Sequence, residues 1–178
     1  MYIRDAKKED AVRIMEIIDG AKESLKTLGI DQWQNGYPNM DSTLRDIENG
    51  VSRVLTDEYG NIIATAAVYI GNEPTYNEIH EGSWLRETDT YGIIHRIAVD
   101  TTNKNKGMAS MIMTYCAELT KSAGLSSLRC DTHLGNVIMQ HTLEKNGYKR
   151  CGIIYLEDGS PRVGYEKLLS SAVEGGLR

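Results

Sequence analysis

The segment that most restricts how this chain can fold runs from Tyr91 to Asp131. Tyr91–Val99 is an apolar run of strand length, the pattern of a buried strand. From Gly107 to Ala123 the residues Ala109, Met111, Ile112, Tyr115, Cys116 and Leu119 form one apolar side at helical spacing, and Gly124 stands where a helix ends. Leu125–Asp131 is again a short strand. Strand, helix and strand in that order require a crossover connection and a sheet that is at least partly parallel.

The remaining segments arrange themselves around that unit. Met1–Arg4 is an edge strand, and Asp10 to Leu28 is an amphipathic helix with Val12, Met15, Ile18 and Leu25 on one side and Gly29 just past its end. Asp41 caps a second helix through Glu48, closed by Gly50. Val51–Thr56 and Asn61–Tyr69 form a hairpin, and Gly71–Thr90 is polar and irregular. Val137–Asn146 is a helix ended by Gly147, and Tyr148–Leu156 and Pro161–Lys167 pair around Asp158-Gly159. The fold class is therefore α/β (α+β), a mixed sheet flanked by helices. With 178 residues and no linker, repeat or low-complexity stretch, one domain over 1–178 is expected, its core about 1–168 and the rest a short tail.

Charge excludes some functions and suggests others. Twenty Lys+Arg against 25 Asp+Glu give a net charge of −5, unsuited to neutralising a nucleic-acid backbone. No apolar run reaches the roughly 20 residues that span a bilayer. Cys116, Cys130 and Cys151 lie in apolar stretches without metal-type spacing, which predicts a reduced, cytoplasmic protein without a metal. The charge is uneven. Residues 1–90 carry 9 basic and 17 acidic side chains, and residues 91–178 carry 11 and 8. An anion site in the second half and a cation-tolerant surface in the first fit that asymmetry.

The anion site has a specific location. The buried strand ending Ile97-Ala98-Val99 runs through a polar loop into Lys104-x-Lys106-Gly107-Met108-Ala109. Gly107 permits backbone conformations that a Cβ forbids, and small residues at Gly107 and Ala109 let an anion approach the unpaired first amides of the helix. Lys104 and Lys106 add full charges, so the loop suits a phosphate or pyrophosphate. Neither a Walker loop nor a dinucleotide fingerprint is present.

Val99, Lys104, Gly107 and Ala109 resemble the acetyl-CoA pyrophosphate loop of the GNAT superfamily of N-acetyltransferases, with Lys104 in place of the usual Arg or Gln. A second block, Asn136 through Glu144-Lys145-x-Gly147-Tyr148, resembles that superfamily's later motif, with Tyr148 for Phe. The opening Ile3-Arg4-x-Ala6-x-x-x-Asp10 and the closing Gly164-Tyr165-Glu166-Lys167 also fit, so the resemblance covers nearly the whole chain.

The resemblance implies a central sheet splayed between its fourth and fifth strands. Backbone at Ile97, Ala98 and Val99 would bind the pantetheine arm, amides of Lys106 to Ala109 the pyrophosphate, and Asn136 the pantetheine side; Asn136 reads equally as a helix cap. It further implies acetyl transfer from acetyl-CoA to a primary amine, with a backbone amide near Val99 for the oxyanion. Other expected partners are none among nucleic acids and membranes, with homodimer formation open. The family's usual acid, a Tyr before the Glu-Lys pair, is Leu143 here. Tyr148, Tyr115 and Tyr155 are the substitutes, and Tyr148 is the first candidate acid. His95 is the candidate base, with Glu78, His80, Glu81, Glu87 and Asp89 as competitors.

Trp33, Tyr37, Tyr76 and Trp84 are expected at the acceptor end of the cleft. The run Gly29 to Pro38 resembles a bacterial GNAT subgroup of unassigned substrate, and aromatics with acidic residues suit a small cationic amine. A protein lysine or N-terminus as acceptor, or an acyl-CoA-binding domain without turnover, are the alternative functions.

Overall fold

The computed structural model describes residues 1–103 and 106–170. The strands are β1 (Tyr2–Asp5), β2 (Ser52–Thr56), β3 (Ile62–Gly71), β4 (Tyr91–Val99), β5 (Ser127–His133), β6 (Lys149–Tyr155) and β7 (Pro161–Leu168). The helices are α1 (Ala11–Thr27), α2 (Met40–Glu48), α3 (Met108–Ser122) and α4 (Val137–Lys145). They follow the expected order, with two local differences. Asn39, not Asp41, caps α2: its side chain accepts from the Ser42 amide at 3.0 Å, and its own amide donates to the Ser42 hydroxyl at 2.9 Å. The polar 71–90 stretch contains a single 3-10 turn at Pro74–Tyr76. The expected tail beyond about 168 continues into 171–178, which lie outside the described residues.

The seven strands form one sheet in the order β1-β2-β3-β4-β5-β7-β6. All neighbours are antiparallel except β4 and β5. That parallel pair touches only at Gly92↔Leu128 and Ile93↔Arg129, then opens into a V. Gly92 marks the apex. A Cβ there would lie 2.3 Å from Thr120 Oγ1 and 2.8 Å from Leu128 Cδ1, so only glycine lets α3, β4 and β5 meet this closely.

Helices cover both faces. Ile14, Ile17 and Ile18 of α1 pack on Val54, Ile62 and Ala98, while Ile112, Met113 and Cys116 of α3 pack on Leu55 and Ile63. The alternation of adjacent residues, Val54 against Leu55 and Ile62 against Ile63, sends successive side chains to opposite faces. Two ion pairs clip α1 to the sheet. Arg4 on β1 grips Asp10 at 2.6 and 3.0 Å, and Arg13 on α1 pairs with Asp100 just past β4.

At the far edge, buried Glu166 on β7 accepts from the Leu85 and Arg86 amides, from the Ser127 hydroxyl and from Arg129 Nε at 3.3 Å. The Arg129 guanidinium lies 4.0 Å from the Tyr91 ring centre and 4.4 Å from that of Trp84. This network seats the irregular 82–90 segment on the sheet.

Candidate functional site

The V between β4 and β5 leaves backbone groups without sheet partners. The Asp100 amide reaches β3, donating to the Ile63 carbonyl at 2.8 Å. Strand alternation therefore turns the Val99 N–H and C=O the other way, toward the gap that β5 vacates. A bulge lies just before it. Thr65 pairs with Ala98 and Ala67 with His95, so Arg96 and Ile97 together oppose Ala66. Arg96 takes φ +53°, a conformation disfavoured for a residue with a Cβ and one that needs support from its surroundings. The support is visible. The Arg96 guanidinium donates to both Asp46 oxygens, at 2.6 and 2.8 Å, and to the hydroxyls of Tyr37 and Tyr69. Burial and the Asp46 contact raise the Tyr69 hydroxyl above its ordinary value.

Two cavities open on the V. The first, about 290 Å³, is lined by Ile97, Ala98, Val99, Ala109, Asn136 and Trp33 among others, with Leu25, Met113, Met139 and Leu143 making it largely apolar. The second, about 690 Å³, is lined by Tyr37, Tyr69, Thr75, Leu156 and the carboxylates of Glu73, Asp131, Glu157 and Asp158. Three residues, His95, Arg96 and Asp131, line both. His95 Nε2 lies 3.2 Å from Glu73 Oε2, and that contact, with the Thr75 amide, holds the Glu73 carboxyl below its ordinary range against the opposing effect of burial.

The remaining expected site residues fall as follows. Gly107 caps α3 at φ +83°, with nothing within 4 Å of where a Cβ would stand. Ala109 faces the first cavity, while the Met108 side chain is core, leaving only its amide at the helix start. Lys106 is exposed, and Lys104 lies outside the described residues. Asn136 caps α4, accepting from the Met139 amide at 3.1 Å, and also faces the cavity, where it donates to Gln32 Oε1 at 3.3 Å. These groups fit a CoA thioester: an extended edge for the pantetheine amides, a helix start without steric cover for the pyrophosphate, and apolar walls between.

The acceptor aromatics divide. Tyr37 lines the second cavity, but Trp33 lines the first. Tyr76 and Trp84 line neither: Tyr76 is fully buried, and Trp84 packs over it and donates to its carbonyl at 2.8 Å. Tyr148 also lines neither. It is buried in the main core with a hydroxyl that has no partner among the described residues, and burial pushes that hydroxyl well above its ordinary value. As a proton donor it is displaced from the site, because its ring fills space beneath α3 and α4. Glu78, His80, Glu81, Glu87 and Asp89 line neither cavity. Glu73, Asp131, Arg96 and Asp46 were missed by the sequence reading. Their only signals were a carboxylate in a polar segment, the last residue of the predicted fifth strand, a charged residue within a buried strand, and one in a short helix.

A mixed sheet splits at its one parallel pair, with a largely apolar cavity on one side and a polar one on the other. The chain belongs to the Acetyltransferase (GNAT) family, whose model matches residues 18–148. It is similar to a GNAT-family acetyltransferase from Streptococcus agalactiae, at 36% identity over 96% of both chains with a TM-score of 0.85. A GNAT-family acetyltransferase from Listeria monocytogenes shares the fold at 17% identity, over 94% of both chains, with a TM-score of 0.71. So does the NatB acetyltransferase complex bound to CoA and MES, at 12% identity over 96% of this chain and 100% of that one, with a TM-score of 0.66. No curated protein matches the chain. No helix among the described residues is long and apolar enough to cross a membrane.

Proposed function

We propose that the protein is an acetyl-CoA-dependent N-acetyltransferase acting on the primary amine of a small cationic molecule, by direct attack while both substrates are bound. The observation that carries this reading is the meeting of two unlike cavities at His95. The apolar one suits the thioester arm, and the polar, carboxylate-lined one suits an amine. The CoA bound to the NatB complex, a protein of the same fold, is consistent with the first assignment.

Acetyl-CoA supplies the activated acyl group. An alkylamine with an ordinary value near 10 is almost wholly protonated at pH 7 and must shed a proton to attack. His95 takes that proton, its Nε2 held by Glu73, so Nδ1 is the nitrogen left to accept. The amine nitrogen bonds to the thioester carbonyl carbon, the Val99 N–H steadies the oxyanion, the C–S bond breaks, the nitrogen gives its second proton to water as it becomes the amide, and the CoA thiolate takes a proton from water. Leu143, buried beside the cleft, offers no acid for that last step, and a thiol near 8.5 leaves without one.

Two measurements test this. Acetyl-CoA at 100 times its Kd should add about 2.7 kcal/mol to the unfolding free energy. Free-thiol release should depend on a primary amine, and His95→Ala should lower kcat by roughly 100-fold or more, with rising pH recovering part of the rate. Acetyl-CoA binding with no amine-dependent release would instead establish an acyl-CoA-binding domain without turnover. An unchanged rate in His95→Ala would remove His95 as the base.

A further inference from the structure

Among the described residues Asp131 is the one carboxylate that lines both cavities. Its backbone is fixed, because β5 pairs with β7 along its full length and Asp131 stands opposite Gly164. Its side chain is fixed too. The fully buried Tyr76 donates its hydroxyl to Asp131 Oδ1 at 2.6 Å, and Tyr76 is itself clamped between the Trp84 and Tyr91 rings. Among the described residues none donates to the second oxygen, Oδ2. Near the junction Arg96 is paired with Asp46, and Glu73 lies against His95. Among the described residues Asp131 has no cationic partner.

We propose that Asp131 is the specificity-determining residue of the acceptor site, docking the incoming substrate as a primary alkylammonium beside His95. This rests on the acetyltransferase reading above and deepens it. A carboxylate offers acceptors only, so its free oxygen calls for an N–H or O–H donor, and its uncompensated charge selects a cation over a neutral alcohol. A primary amine reaches the protein as the ammonium, and two N–H bonds remain for recognition after His95 draws off one proton. Tyr76 is then a positioning residue. It never touches the substrate but holds the carboxylate that does.

The probe is butylammonium chloride, titrated into protein saturated with CoA, with butan-1-ol as the neutral comparator. The wild type should bind butylammonium and discriminate against the alcohol. Each protein is titrated at its own saturating CoA concentration, and Asp131→Asn keeps an oxygen for the Tyr76 hydroxyl. Its butylammonium affinity should fall by roughly 10- to 100-fold, the loss of a charge-assisted hydrogen bond. Equal affinity in wild type and Asp131→Asn, or no preference for the ammonium over the alcohol, overturns the proposal. A crystal structure of the wild-type ternary complex gives a readout independent of any variant. The ammonium nitrogen should lie within hydrogen-bond distance of Asp131 Oδ2, and density for it elsewhere also overturns the assignment. If butylammonium docks on Asp131 but no primary amine releases thiol from acetyl-CoA, the acetyltransferase reading fails while the ammonium site stands.

Discussion

Two tyrosines illustrate how differently one side chain behaves under burial. Tyr76 and Tyr148 are both enclosed, and both hydroxyls are pushed well above their ordinary value, chiefly by burial. Tyr76 donates its hydroxyl to Asp131, whereas Tyr148 has no partner for its own among the described residues. A buried, unsatisfied hydroxyl costs about 1–3 kcal/mol, and removing it can be neutral or stabilising when the shape is kept. Tyr148→Phe should therefore unfold at equal or higher urea concentration and retain its kcat. A kcat loss in this variant, with acetyl-CoA binding intact, would reinstate Tyr148 as the acid. The sequence could not separate these roles, since both residues read as aromatics near the predicted site. What distinguishes them is a partner 55 positions away, brought together only by the sheet. Glu73 was hidden for a related reason. It lies in a polar stretch where most carboxylates face water, and only the fold turns it toward His95.

Among the elements, β4 contributes most to the shape of the candidate site. It supplies the apex at Gly92, the shared residue His95, the bulge at Arg96 and the free edge at Val99. Its limits, Tyr91–Val99, were legible because a continuous apolar run bounded by polar segments has few other readings. The V was implied by resemblance alone, and the close approach at its apex rests on packing. Thr120 Oγ1 donates to the Cys116 carbonyl at 2.8 Å, so the hydroxyl against Gly92 is not free to swing aside. Gly92→Ala should then lower the unfolding free energy by about 1–3 kcal/mol through overpacking. Thr120→Ala in the same chain should recover part of that loss, because it removes Oγ1 and Cγ2 and leaves only Leu128 Cδ1 in the way. Urea unfolding of the two single variants and the double variant checks the argument. Additive losses would mean that Gly92 is needed for something other than space. The far edge tells a similar story. Glu166 was visible as part of a closing motif, but its role as the common acceptor of Leu85, Arg86, Ser127 and Arg129 was not.

Across the whole molecule the acidic first half and basic second half do not remain apart. Arg96 and Asp46 pair across that division, as do Arg13 and Asp100, and the carboxylates of the second cavity come from both halves. Charge counted along the chain is thus a poor guide to which charges meet, because the sheet interleaves the halves. The two clips on α1 lead to a pH dependence. The Asp10 carboxyl is held below its ordinary value, first by the Arg4 hydrogen bonds and then by the Lys7 amide, with burial opposing. Asp100 is also lowered: burial opposes, but the Thr102 hydroxyl and amide and the Arg13 guanidinium outweigh it. A carboxyl lowered in the folded state adds stability that is fully present above its unfolded value, near 3.9, and is lost as pH falls through the lower folded value. Unfolding free energy should therefore hold from pH 7 down to about 5 on account of these groups and decline below about 4. The double variant Asp10→Asn, Asp100→Asn should be less stable at pH 7 and show a shallower decline on acidification. An acid limb of equal steepness in both proteins would place the acid sensitivity in other carboxylates, Glu73 beside His95 first among them, since that contact lowers it in the same direction.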